Sequence, residues 1–211
     1  LVSSGLQDIF IAKYDNLGAL AWVVKAGGLD ADIGFGITVS TSGNIYVTGS
    51  FKGSASFGTT ILTSANTTSD VFTAKLNPSG VFQWAKSGTG NYTNRGVDIG
   101  VDNSDNVYIT GQFSDTITFD TQHPNQMQSV IFVVKYDSAG TEQWFKIIGG
   151  GVTNIPSGIA VDGTGNSFLT GDFTGTLTFF GTPNVSLSNP HTNKVYVAKL
   201  NSTGVVQWSH A

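Results

Sequence analysis

One motif recurs four times along this chain: an apolar run, a turn and a tryptophan. It occupies Ile9–Trp22, Val71–Trp84, Ile131–Trp144 and Val195–Trp208, with the tryptophans 62, 60 and 64 residues apart. A period of that length restricts the fold to stacked copies of one supersecondary unit. A second motif keeps the same step. Ile37–Phe51, Ile99–Phe113 and Ile159–Phe173 each run from an apolar triplet through a polar turn to a Thr-Gly pair and a Phe, with the pairs at Thr48-Gly49, Thr110-Gly111 and Thr170-Gly171.

Both motifs read as β-hairpins. In the Thr-Gly motif two β-rich runs flank a short turn, and Gly43, Asp105 and Gly165 fall where a left-handed residue closes a type I turn with a bulge. Glycine enters that region freely, and Asp tolerates it better than most residues. In the Trp motif the turns are Asp15-Asn16-Leu17-Gly18, Asn77-Pro78-Ser79-Gly80, Asp137-Ser138-Ala139-Gly140 and Asn201-Ser202-Thr203-Gly204. Asp or Asn first and Gly fourth is the type I signature, and Pro78 in second place presets φ for it.

Between the hairpins of each unit lies a stretch of varying sequence. It opens Gly53–Phe57, Asp115–Phe119 and Gly175–Phe179, with an alternation that predicts strand extensions or a small protruding hairpin. It then breaks into polar segments, Ser64–Ser69, Thr121–Gln128 and Ser188–Asn193, which read as loops. Loops that differ on a repeated frame are where specificity is carried. The candidate partner-contact residues are therefore Asn66, Thr67, His123, Asn125, Gln126, His191 and Asn193.

Each unit thus supplies four main strands. Those beginning at Phe10 and Ile37 are apolar on alternating and intervening positions alike, which predicts sheets buried on both faces. Four-stranded antiparallel sheets stacked around an axis are the blades of a β-propeller. The chain divides into residues 1–27, the second half of a blade, and blades at 28–90, 91–150 and 151–211. Three blades do not close a ring, so the fold expected is all-β and a partial propeller, completed by further blades of the same protein or by another subunit. The chain begins Leu1-Val2-Ser3-Ser4, which reads as a processed product or a fragment.

Composition narrows the partners. The net charge of −4 leaves no basic face for tracking phosphates, which argues against nucleic acid. Charged residues make up 11% of the chain, against roughly 25% in an average soluble domain. The resulting polar, nearly neutral surface suits an exported or cell-surface protein. Absence of cysteine excludes disulfides, thiolate metal sites and cysteine nucleophiles. No uncharged apolar run is long enough for a membrane-spanning helix.

The segments Asp70–Trp84 and, with substitutions, Asp162–Phe173 resemble the paired signatures of the SBBP-type β-propeller repeat, a family of bacterial and often exported multi-repeat proteins. The resemblance implies a propeller module and carries no catalytic residues with it. The first signature's Asp is Ser40 in the first copy, and Asp70 has Asp8, Val130 and Lys194 as its counterparts.

Other candidates have two readings each. Lys13, Lys75, Lys135 and Lys199, with Lys25, Lys86 and Lys146, form either an anion-binding ring or strand-edge side chains that lie along apolar neighbours or pair with a repeat Asp. Trp22, Trp84, Trp144 and Trp208 either stack sugars or pack one blade on the next. Asp102–Asn106 is either a calcium loop or an Asx-stabilised turn; Asp162 and Asp172 carry the same question. His123, His191 and His210 share no repeat position and no metal-ligand spacing. A hydrolase or lyase at the propeller axis needs converging acids or histidines, yet Ile37–Val39, Ile99–Val101 and Ile159–Val161 offer only Asp98 beside them. The expectation is a non-catalytic scaffold, without cofactor or metal, that presents loops to protein or glycan. A structural part of a surface filament or layer is the alternative.

Overall fold

The structure, a computed structural model, describes residues 1–124 and 129–211, and their side chains except those of Pro124 and residues 189–192. Among these residues there are eighteen strands and no helix. In chain order the first are β1 (Ile9–Tyr14), β2 (Leu20–Gly28), β3 (Ile33–Val39), β4 (Ile45–Phe51), β5 (Ser54–Phe57) and β6 (Thr60–Thr63). Next come β7 (Asp70–Leu76), β8 (Phe82–Gly90), β9 (Arg95–Val101), β10 (Val107–Phe113), β11 (Thr116–Thr118) and β12 (Gln122–Pro124). The last are β13 (Val130–Tyr136), β14 (Glu142–Gly149), β15 (Thr153–Val161), β16 (Ser167–Phe179), β17 (Val185–Leu200) and β18 (Val206–His210).

Three four-stranded antiparallel meanders emerge: β3-β4-β7-β8, β9-β10-β13-β14 and β15-β16-β17-β18. The pair β1-β2 is the outer half of a fourth. The turns are those the sequence predicts. Gly43, Asp105 and Gly165 have φ of 81°, 61° and 85°, and the glycines closing the Asp/Asn turns lie between 76° and 84°. The curled sheets form half of a barrel, an arc of a β-propeller.

The varying stretch between hairpins does more than protrude. Its first strand pairs with the outermost strand of the preceding blade: β5 with β2, β11 with β8, and the far end of β16 with β14. Hydrogen bonding therefore crosses from blade to blade. The aromatic that ends each opening segment packs into the same seam. Phe57 contacts Phe72 and Phe82, Phe119 contacts Phe132 and Phe145, and Phe179 contacts Tyr196.

Burial on both faces holds only where a blade has two neighbours. Val71 and Ile131, at the position of Ile9, are fully buried, as are Phe72 and Phe132, at the position of Phe10. At the start of the arc Ile9 and Ile11 are buried against the next blade while Phe10 is 70% exposed, since no layer precedes it. Ile37 is exposed because the preceding layer has only its outer pair, β1-β2, although Ile99 and Ile159 are buried.

The tryptophans are inter-blade ties. The indole Nε1 of Trp22 donates to the Pro78 carbonyl at 3.1 Å, Trp84 to Ser138 at 3.3 Å and Trp144 to Ser202 at 3.0 Å. Each acceptor is the second residue of the next blade's Asp/Asn turn. Trp84 also lies between Tyr46 of its own blade and Tyr136 of the next. Replacing Trp84 by Phe keeps the packing and removes one donor; Lys75 still donates to the Ser138 carbonyl at 3.0 Å. The expected loss is about 1 kcal/mol, read by chemical denaturation.

Candidate functional site

The blades have two kinds of end. At one lie the tight turns of both hairpins, and there three of the candidate calcium residues, Asp102, Asp105 and Asp162, accept hydrogen bonds from the chain itself, whereas Asp172 lies in strand β16. Asp102 Oδ1 accepts from the amides of Ser104 and Asn106, while Oδ2 accepts from Asn106 Nδ2 and Tyr108 Oη. Asp162 repeats the pattern with Thr164 and Asn166, and those bonds, Asn166's side chain foremost, hold its carboxyl well below the usual range. Asp105 reaches back one blade to accept from Ser42 Oγ and Asn44 Nδ2. Burial opposes its charge, but the bonds from Asn44, Ser40 and Ser42 outweigh it and lower its pKa. Among the described residues, no group of three or more His, Asp or Glu is placed to hold a metal.

Three of the repeat lysines lie on carbonyls or rings. Lys75 and Lys135 donate to Ser138 and Ser202 and lie over Tyr46 and Tyr108, while Lys199 lies over Phe168. Lys86 pairs with Asp120 at 3.2 Å. Asp98, the acid nearest the axis strands, accepts from the amides of Ile99 and, one blade on, Ile159.

The opposite end carries the inserted hairpins and the linkers between blades. It is built on a buried knot. Asp70, wholly buried, accepts from the amides of Ala65 and Gly90 and from Asn94 Nδ2, at 2.8, 2.9 and 3.0 Å. Burial raises its pKa, and the three donors offset part of that rise. One carboxylate thereby clamps the inserted segment after β6 to the linker after β8. One unit earlier the partners are two acids, Asp8 and Asp32. There the Gly28 amide turns to Asp32, and Asp8 Oδ1 is left without a donor. Burial raises the Asp32 pKa as well, with the Asp8 charge adding to it.

On that clamp sits an exposed polar chain spanning two blades. Asn66 Nδ2 donates to Asn91 Oδ1 at 3.3 Å, and Asn91 Nδ2 donates to Asp115 Oδ2 at 3.5 Å. Asn66 belongs to one insert, Asn91 to the linker and Asp115 to the next insert. Thr67 is exposed beside Asn66. Asn91 and Asp115 were missing from the sequence candidates. They lie outside the polar runs, and only their offset from the Gly90 linker and the Gly53 position could have marked them.

The remaining candidates scatter. His123 is not a free loop residue. It stacks on Phe145 at 3.8 Å between ring centroids, and its Nε2 is 2.8 Å from Glu142 Oε1, which also accepts from Thr121 Oγ1. Asn125 and Gln126 lie outside the described residues. The segment Ser188–Asn193 corrects an expectation, being part of strand β17 rather than a loop. Just before and at its start, exposed Ser186 and Ser188 alternate with half-buried Val185 and Leu187, and a polar run of this kind looks like a loop in composition alone. Between Asn189, which pairs with Gly175, and Lys194, which pairs with Phe173, the register shifts. There Asn193 Oδ1 accepts from Thr174 Oγ1 at 3.3 Å. The His191 side chain lies outside the description.

Comparison with known proteins agrees with this architecture. The β-propeller repeat family SBBP matches residues 21–50 and 143–175. These segments lie two periods apart, and each runs from a Trp strand of one blade into the Thr-Gly hairpin of the next. A protein of Acanthamoeba polyphaga mimivirus, described as an uncharacterized WD repeat-containing protein, is 27% identical over 226 residues, covering 90% of this chain. The chain spans 16% of that relative's length. Two segments of the chain are thus similar to the SBBP β-propeller repeat, and the match supports a propeller repeat scaffold.

Proposed function

We propose that this run of SBBP-like β-propeller repeats is a non-catalytic contact module of an exported or cell-surface bacterial protein. Its partner is a protein or a glycan, taken at the blade end that carries the inserted hairpins. One observation carries the reading: the exposed Asn66–Asn91–Asp115 chain, which crosses from one blade to the next on a buried clamp. Amides and carboxylates held at fixed spacing suit hydroxyl-rich or polar partners, and loops on a rigid frame are the usual place for such contacts. The axis strands are apolar and Asp98 is spent on backbone amides, which favours binding over hydrolysis.

The test is capture by arrays of immobilised glycans and bacterial surface proteins, using the wild-type chain and Asn91→Ala. At least one bound species is expected, with affinity falling about tenfold in the variant. Asn91 is exposed, so stability should stay within about 0.5 kcal/mol. Absence of binding across both arrays, or binding indifferent to Asn91, would overturn the reading.

A further inference from the structure

Asp32, Asn94 and Asn154 share one repeat position, and Asp8, Asp70 and Val130 share another. In the second unit the two positions are bonded. Asn94 Nδ2 and the Gly90 amide both donate to Asp70 Oδ1, at 3.0 and 2.9 Å, while the Ala65 amide takes Oδ2. The third unit has no acid there. The first has two, and a second carboxylate has no hydrogen to offer. Asp8 Oδ2 accepts from the Ser4 amide, as Asp70 Oδ2 does from Ala65. Asp8 Oδ1, the counterpart of the doubly bonded oxygen on Asp70, is buried without a donor.

The two acids are close together and shut away from water. The Asp8 side chain is 5% exposed and Asp32 is 1% exposed. A Cβ on Gly27 would overlap Asp8 Oδ1 and stand 2.9 Å from Asp32 Oδ2, so the two oxygens converge on one place. Asp32 accepts from the amides of Gly28 and Lys52. Burial raises its pKa, those two bonds offset part of the rise, and the charges of Asp8 and Asp30 add to it. Lys25, on β2, is the cation that faces the pair. Its Nζ lies 3.7 Å from Asp8 Oδ2, on the side occupied by Ser4, and it donates also to the Val2 carbonyl and Ser4 Oγ. Two enclosed anions repel, and the orphaned oxygen adds its own desolvation cost. One proton between them removes both penalties.

We propose that Asp8 and Asp32 share one proton, in an O–H···O bond that stands where Asn94 donates to Asp70. The proton comes from solvent and returns to solvent as pH rises, and no other bond is made or broken. The first unit is thus fastened by a proton where the second is fastened by an amide, and its fastening weakens as pH rises. This pair is separate from the Asn66–Asn91–Asp115 chain, so binding there and protonation here stand or fall independently.

Asp32→Asn supplies the donor permanently and copies the second unit into the first. In urea denaturation of residues 1–211 at pH 7, the variant's midpoint should lie about 0.5 M above that of the wild type. At pH 4 the two midpoints should converge. The sign follows from the raised Asp32 pKa: the folded wild type binds more protons there than the unfolded chain, so its contribution is full below about pH 4 and falls as pH rises through the raised value. The amide of the variant contributes alike at both. Carboxyl-carbon NMR on the wild type needs no substitution. The Asp8 and Asp32 signals should titrate as a coupled pair, with the last proton leaving above the ordinary carboxylate range. A variant weaker than wild type at pH 7, or an advantage equal at both pH values, would overturn the proposal. So would two carboxyls that each lose their proton within the ordinary range. A wild-type midpoint that rises at pH 7 when calcium chloride is added, with Asp32→Asn unmoved, would overturn it in favour of a bound cation.

Discussion

Replacing Gly111 by alanine is expected to cost at least about 3 kcal/mol and to unfold the blade around it at room temperature in mild denaturant. Its Cβ would overlap the Arg95 carbonyl oxygen and stand 2.5 Å from the Phe132 ring. Neither neighbour can withdraw. The carbonyl belongs to β9 where the register shifts between Thr110 and Gly111, so a bulge presses the backbone onto the glycine. Phe132 is fully buried in the adjoining strand. Gly49 and Gly171 repeat the arrangement against Ile33 with Phe72, and against Ile155 with Tyr196. Gly18→Ala is the internal comparison. Gly18 has φ of 81° and open space around it, so only backbone strain, about 1 kcal/mol, is expected there. Equal losses at the two sites would refute the steric account.

Asp70→Ala should cost about 3 kcal/mol, because it leaves the amides of Ala65 and Gly90 and the side chain of Asn94 without an acceptor in a buried site. It should also free the inserted segment that carries Asn66, so backbone amides from Ala65 to Ser69 should exchange faster than in the wild type. The pH dependence has a definite sign. Burial holds the Asp70 carboxyl above its ordinary value, so the folded chain binds more protons than the unfolded one there. Its contribution is fully present below about pH 4 and declines as pH rises through the raised value. The stability gap between wild type and Asp70→Ala should therefore narrow from pH 4 to pH 7. A gap that widens over that interval would mean the carboxylate is favoured by its three donors more than burial opposes it.

The repeat made the frame legible. Turn residues with a required φ, and apolar runs too dense for a one-faced sheet, give the meanders and their stacking, and Gly43, Asp105 and Gly165 take the left-handed conformation their positions demand. What stayed hidden depends on partners far along the chain. The Thr-Gly pair is visible as a mark of the period, but its cause is a bulge in the neighbouring strand. Ser188–Asn193 continues strand β17, and its polar composition alone could not separate it from a loop. The exposed edge was half legible. Asn66 stands in a polar run, whereas Asn91 and Asp115 join it only because the β5 and β11 hairpins pair with the blade before them. His123 looked free for want of any sign that Glu142 and Phe145, about twenty residues on, would hold it.

That backward pairing has a consequence for how such a chain can grow or shrink. Each layer is laced to its predecessor by a hairpin encoded in the following sequence unit, in the manner of overlapping roof tiles. A duplication or loss of whole periods keeps every overlap intact wherever the cut falls, because each new seam receives one hairpin and one outer strand. An insertion of half a period would leave an outer strand with nothing laid across it. Copy number can therefore drift in whole units while fractional steps are penalised, and a pull on one end must strip a hairpin from its neighbour before any layer comes away.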